Sequence, residues 1–243
     1  MAYYYKGAGK VYLGRYDGST GLMQVGNVSE FMISVNEKED SLKDFDSPSG
    51  GEVMTVTTID KIEVAMTMND LNPFNMAVAL WGAASVTNAG TASLEEHTAY
   101  KGGLIELAKI NPSTVTLTKG DGTATYSLGT DYTVSSVGLY VPDTSTIANG
   151  TAVKVTYNYP LQDVVEALTT GANEYRMVLD GINIANDNSA VSVQLHRVKF
   201  APSKNMNFKG DQFAELKLTG SLLRDDTKTG AGISQYFKQI MVQ

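Results

Sequence analysis

Between Val28 and Asp70 two strand-like runs enclose NEKEDSLKDFDSPSGGE, a polar stretch too long for a tight hairpin turn. Hairpin loops usually hold about five residues or fewer, and much longer unstructured connections are mostly functional or disordered. Phe31, Ile33 and Val35 alternate with polar neighbours on one flank. Ile62, Val64, Met66 and Met68 alternate with Lys61, Glu63 and Thr67 on the other. Both flanks have the period of half-buried strands, so the chain must build a sheet around them. From Glu37 to Glu52 six acids (Glu37, Glu39, Asp40, Asp44, Asp46, Glu52) stand against two lysines (Lys38, Lys43), a local charge of −4. Leu42 and Phe45 inside so charged a stretch imply a loop that orders against something. The bland alternative is a solvated excursion with no partner.

Charge is unevenly placed along the 243 residues. The net value is −7, yet from His196 onward eight bases face four acids, a balance of +4. An acidic chain is a poor sequence-independent DNA binder, whose affinity comes from neutralising phosphates. Cysteine is absent, which excludes disulfides, thiolate zinc sites and cysteine nucleophiles. No apolar run is long enough to span a bilayer, and MAYYYKGAGK lacks the apolar stretch of a secretory signal, so folding in the cytoplasm without membrane insertion is expected.

Frequent Gly, Thr, Val and Tyr favour strands and turns, and a mainly β fold with a minor α component is expected. KVYLGRY reads as an early strand. One helix is signalled: Asn72 as N-cap, Pro73 at the first helical position, Phe74, Ala77, Val78 and Trp81 at helical spacing, and Gly82 as the stop. SVTNAGTAS reads as a polar spacer. From Asn111 to Pro160 short strands alternate with turn signals, as in an inserted small β-sandwich-like module. The expected organisation is a main domain in two parts, 1–110 and 161–243, around a 111–160 insert. The main domain resumes in strands near 164–168, 175–183, 191–200 and 214–223, and the closing arm from Gly230 docks on itself or on a neighbour.

No coherent catalytic constellation is present. GAGK at Gly7 to Lys10 lacks the first glycine of a phosphate loop, and Val11 stands where Ser or Thr would hold magnesium. His97 and His196 are far apart without a second ligand at helical spacing. Glu95-Glu96 and Asp225-Asp226 place adjacent carboxylates on opposite faces of a strand, and solvation is the expected fate of both doublets. Catalytic, metal and cofactor sites are therefore not expected, and the chain reads as a non-enzyme.

The order of elements resembles the major tail tube protein of long-tailed, siphovirus-type bacteriophages. The stretches that carry the likeness are FMISVNEKEDSLKDFDSPSGGEVMTVTTIDKIEVAMTMNDLNPFNMAVALWG, TAYKGGLIELAK, EYRMVLDGINIANDNSAVSVQLHRVKFAPSK and FAELKLTGSLLRDDTK. It is a likeness of order and texture over nearly the whole chain, without a short diagnostic motif. It implies a β-sandwich or barrel-like tail tube fold with one flanking helix, a long-loop hairpin and a small β insert. It further implies a structural virion protein that self-assembles into stacked hexameric rings, assembled in the host bacterial cytoplasm and resident in the virion tail. The tube would conduct DNA during ejection without binding it specifically. Tape measure and tail-end proteins would be its other partners.

Within that resemblance the long loop contacts neighbouring subunits and the next ring, which gives Glu37, Glu39, Asp40, Leu42, Asp44, Phe45 and Asp46 an inter-subunit role. The complementary basic surface is drawn from Arg197, Lys199, Lys204, Lys209 and Lys217, a pairing that would guide register and association rate. The resemblance also implies an acidic lumen, for which Glu30, Asp60 and Glu63 are the candidates, Glu63 lying opposite Ile62 and Val64 in the alternation. A competing expectation is an adhesive or carbohydrate-binding β protein, with Tyr126, Tyr132, Tyr140, Tyr157 and Tyr159 as an aromatic platform.

Overall fold

The computed structural model describes residues 4–46 and 48–242; Ser47 of the loop and Gln243 of the closing arm lie outside them. The fold is mainly β, with antiparallel sheets. The chain begins with β1 (Gly7–Arg15), β2 (Met23–Gln24), β3 (Val28–Lys43) and β4 (Glu52–Met68), followed by α1 (Pro73–Ala79). Then come β5 (Ala83–Thr87), β6 (Gly90–Ala99), β7 (Leu104–Glu106), β8 (Ser113–Lys119), β9 (Thr133–Ser135), β10 (Gly138–Tyr140) and β11 (Thr151–Tyr159). The last part holds β12 (Gln162–Glu166), β13 (Glu174–Asn183), β14 (Ser189–Phe200), β15 (Leu216–Leu222) and β16 (Phe237–Met241).

Two compact units form, one from residues up to 84 together with 165 onward, the other from 85–164. The insert is thus longer than the 111–160 expected from turn spacing. The reason lies in β6 and β7, which pair with β11 and β10 and so belong with the later strands. The supposed polar spacer is itself strand, in β5 and the start of β6. GTASLEEHTA carries little apolar pattern because most of its side chains are exposed or half-exposed.

In the first unit the sheet runs β2-β1-β13-β14-β15-β4-β3, and β16 pairs with β14 further along the edge that β15 uses. One face is apolar: Leu13, Met177, Leu195, Phe200, Leu216 and Leu218 are buried with Ile62, Val64, Met66 and Met68 in one core. Helix α1 closes over that core with Val78 and Ala79. Its start follows the local chemistry, because the Asn72 side chain accepts the Asn75 N–H at 2.9 Å and Pro73 occupies the first turn. Its end does not wait for Gly82. Trp81 itself takes the left-handed conformation at φ 49°, half-buried, with its Nε1 donating to the Phe200 carbonyl at 3.1 Å. A bulky residue there is strained, and the indole anchor holds it in place.

The β13–β14 connection is a five-residue loop, 184–188, whose last part is a primed turn: Asp187 and Asn188 are both at positive φ and the Ser189 N–H donates to the Asn186 carbonyl at 2.9 Å. The closing arm docks on its own chain through β16, and Tyr236 and Phe237 pack against the core.

The second unit has two three-stranded sheets, β6-β11-β8 and β7-β10-β9. Leu117, Leu139, Ile147, Val155 and Tyr157 fill its separate core. Within the expected series of short strands, the run ATYSL at 124–128 forms only isolated bridges, Thr125 with Thr118 and Leu128 with Tyr132. Strands β5 and β12 pair with each other where the chain enters and leaves this unit.

Candidate functional site

The long polar loop is mostly strand. Beyond the pair Asn36–Lys61 the β3–β4 register slips, so that Glu37 faces Ile59 and Asp60 is left unopposed at a bulge. The ladder then continues to Leu42–Met54 and Lys43–Glu52. Glu37, Glu39, Asp40 and Leu42 therefore stand on a two-stranded ribbon, and the connection shrinks to residues 44–51, which hold Asp44, Phe45 and Asp46. The Asp44 N–H donates to the Gly51 carbonyl at 2.6 Å and the Asp46 N–H to Asp44 Oδ1 at 2.8 Å. Alternation reveals a strand only when one face is buried, and none of the described residues from 37 to 61 is buried.

Directly opposed residues share a face. Leu42 with Met54 and Asp40 with Val56 mark one side of the ribbon, while Glu39 with Thr57 and Glu37 with Ile59 mark the other. Val53, Met54, Val56 and Ile59 are all exposed, and Phe45 at the tip is 86% exposed. Sequence reading missed the apolar residues of β4. Their signal was the β-branched run VMTVTTI, whose strand propensity outweighs its lack of alternation.

The five candidate bases differ in how far they are committed. Arg197 is committed within its own chain: its Nε and Nη2 donate to the two Glu174 oxygens at 2.7 and 2.9 Å, and its guanidinium lies 5.2 Å from the centre of the Tyr16 ring. That bidentate bond first, then the nearby positive charge, lowers the Glu174 pKa. Lys199 and Lys217 lie on the sheet face opposite the core. Lys204 and Lys209 are exposed on the irregular segment 201–215, together with Phe208 and Phe213, the latter 97% exposed. This segment borders an open cleft of about 1010 Å³, lined by Lys204, Phe213, Lys217, Asn27 and Asn69 among others.

The three candidate lumen acids are on the non-core side or at the bulge, but the surroundings are mixed in charge. Lys199, Ser221, Glu63 and Ser34 form one row across β14, β15, β4 and β3, and Lys217, Thr67 and Glu30 form another. Glu63 accepts from Lys61 Nζ at 2.9 Å and from Asn36 Nδ2 at 2.8 Å, and its pKa is lowered by those two bonds in that order. Glu63 and Lys199 line the same shallow cavity. Glu30 accepts a long hydrogen bond from Thr67 at 3.4 Å, and Asp60 is exposed at the bulge. The non-core face is therefore laced with both signs rather than uniformly acidic.

Neither carboxylate doublet is simply solvated. Glu95 turns inward, where Oε2 accepts from the Tyr157 hydroxyl at 2.6 Å and Oε1 meets His97 Nε2 at 2.8 Å and the Ala108 N–H at 2.9 Å. Burial opposes ionisation of Glu95, but these partners outweigh it and leave the pKa lowered; burial first, and then Glu95, push the Tyr157 hydroxyl up to about 12. Glu96 points out and pairs with Lys154 at 3.3 Å. Asp225 is likewise buried, whereas Asp226 is exposed and pairs with Arg224 at 2.7 Å. Tyr132 and Tyr157 of the supposed aromatic platform are in the second unit's core, and Tyr126 and Tyr159 pack against it, leaving Tyr140 as the exposed member. Among the described residues no three of His, Asp and Glu are grouped so as to hold a metal ion, and no helix is long and apolar enough to cross a membrane.

A family model spans residues 4–240, covering both units. The chain belongs to the family described as "Protein of unknown function UCP028589". No curated protein matches it. The family's description carries no activity, so the functional reading rests on the surfaces themselves: the two-faced β3–β4 ribbon and the aromatic, basic segment 201–215.

Proposed function

We propose that the chain is a self-assembling structural subunit whose β3–β4 ribbon is completed by neighbouring copies, in the manner of a bacteriophage tail tube protein. The observation that carries this reading is the ribbon beyond Asn36 and Lys61, with Leu42, Phe45, Met54, Val56 and Ile59 all in water. A lone two-stranded ribbon is marginal by itself, and exposed apolar side chains grouped on one of its sides, as Leu42, Met54 and Val56 are, mark an interaction site. The sheet supplies further incomplete edges: among the described residues β3 has no neighbour on its outer side, and β2 pairs with only Tyr12 and Leu13 of β1. Pairing one copy's β3 edge with the free part of another's β1 would remove both edges and repeat around a ring.

The acidic tip and the segment 201–215 provide unlike faces, which a head-to-tail stack requires. Asp44, Asp46 and Phe45 match Lys204, Lys209, Phe208 and Phe213 in charge and in apolar character, whereas Arg197 is already paired with Glu174. Stacked hexameric rings, residence in a virion tail and a conduit for DNA come from the family resemblance. Electron microscopy of the purified protein at high concentration tests the reading. Rings or tubes are expected, and monomers under all conditions would refute it.

A further inference from the structure

At one end of the main sheet the β13–β14 ladder bulges. Tyr175 faces Val198 and Met177 faces Leu195, which leaves Arg176 across from His196 and Arg197. The segment after β15 folds over this point: the Leu223 N–H donates to the Arg197 carbonyl at 2.8 Å, the Asp225 N–H to Gln235 at 3.0 Å, and the His196 N–H to Tyr236 at 2.9 Å. A nook of about 390 Å³ results, lined by Tyr16, Arg176, His196, Asp225, Thr227 and Lys228.

Its polar groups are unevenly satisfied. Asp225 Oδ1 already accepts from the Tyr16 hydroxyl at 2.8 Å, the Thr227 N–H at 3.1 Å and Thr227 Oγ1 at 2.7 Å. His196 is only 6% exposed, and its imidazole has no hydrogen-bond partner among the described residues. Arg176 and Lys228 have no carboxylate partner among the described residues, and neither has Lys238 on β16 close by. The remaining charged group near His196, Arg197 on its own strand, is held by Glu174. Three uncommitted cations thus surround one carboxylate and one unpartnered imidazole. A guanidinium fork, an ammonium and an imidazole N–H at the wall of one small cavity form a donor set for a tetrahedral oxyanion.

We infer that this nook binds a phosphate-class oxyanion, held by Arg176, Lys228 and the His196 imidazole, with the Tyr16–Asp225–Thr227 hydrogen bonds fixing its floor. This inference is independent of the assembly reading. Binding draws a proton onto His196, because the imidazolium donates to the anion better than the neutral ring does.

The experiment titrates the full chain with inorganic phosphate at pH 7, with sodium chloride adjusted to constant ionic strength. Calorimetry and the imidazole resonances of the two histidines are followed. Saturable one-to-one binding is expected, with His196 resonances moving while those of His97 stay, and with the His196 titration midpoint raised in phosphate. Arg176→Gln and Lys228→Gln each weaken binding about tenfold or more, and the double variant removes saturation. Both side chains are exposed, and far-ultraviolet circular dichroism of each variant confirms folding. A parallel titration with a nucleoside monophosphate separates the two sources: tighter saturation by the ester names a phosphate monoester, and equal or weaker saturation names the free ion. Saturation by neither compound, or unchanged binding in the folded double variant, overturns the assignment.

Discussion

Leu42 and Met54 face each other directly across the β3–β4 ladder, and they are 57% and 60% exposed. Neither belongs to the core of the first unit. Replacing them with Ser and Thr therefore leaves monomer stability within about 0.5 kcal/mol of the parent, the usual range for surface changes. Assembly should fail in the same protein. Urea unfolding gives the first quantity and sedimentation velocity the second, and growth of assemblies at the parental rate would remove the ribbon from the interface.

Charge has a separate signature. Lys204→Glu with Lys209→Glu should slow assembly and flatten its dependence on salt, and reversing Asp44 and Asp46 to Lys in that background should restore both, because complementary charges act chiefly on encounter. Arg197→Gln should behave differently, lowering monomer stability through loss of the Glu174 pair while leaving the salt dependence alone. Light scattering at several salt concentrations measures the rates. Equal effects of the Lys204–Lys209 and Arg197 variants would show that segment 201–215 is not the receiving surface.

What could be read in the sequence was whatever touches a core. Ile62, Val64, Met66 and Met68 alternate because one side of β4 is packed and the other is not, and Asn72-Pro73 announces α1 by local hydrogen bonding alone. The same β4 strand from Glu52 to Lys61 has no buried residue and so no period. Its pairing with β3 is fixed by continuation of the ladder, which no local pattern encodes. The extent of the second unit was hidden for a related reason: β6 is polar, and only its distant partner β11 assigns it to that core. Of the candidate site, the acidic stretch was legible as charge. Arg197 could not be excluded, because Glu174 reaches it across a strand pair that sequence spacing does not reveal.

Tyr157 tests the second unit. Its hydroxyl donates to Glu95 Oε2 and accepts the Lys109 N–H at 3.1 Å, so Tyr157→Phe leaves a largely buried carboxylate oxygen and a backbone donor unpaired. The loss should be about 2 kcal/mol. Trp81, the chain's single tryptophan, lies in the other unit, so its fluorescence should unfold at an unchanged denaturant concentration while near-ultraviolet circular dichroism shows an earlier transition. Coincident shifts in both signals would mean that the units do not unfold separately.

Protonation of His196 should weaken the fold in a window of its own. Burial, and then Lys228, lowers its pKa below the ordinary 6.5, with Lys238 and Arg176 adding to the effect and Asp225 opposing it. The unfolded chain therefore binds the proton more readily than the folded one, and stability rises with pH across the interval between the folded pKa and 6.5. On acidification the loss begins near 6.5 and ends once the folded pKa is passed. Glu174 and Asp225 act lower on the scale: their pKa values are lowered in the fold, so their contribution is present above the unfolded carboxylate values and is lost as pH falls through the folded ones. Urea midpoints measured from pH 7.5 to pH 5 in phosphate-free buffer should fall for the parent and stay nearly flat for His196→Gln. The acid loss below about pH 4.5 should survive in both. An identical slope in the two proteins above pH 5 would assign the titration to another group.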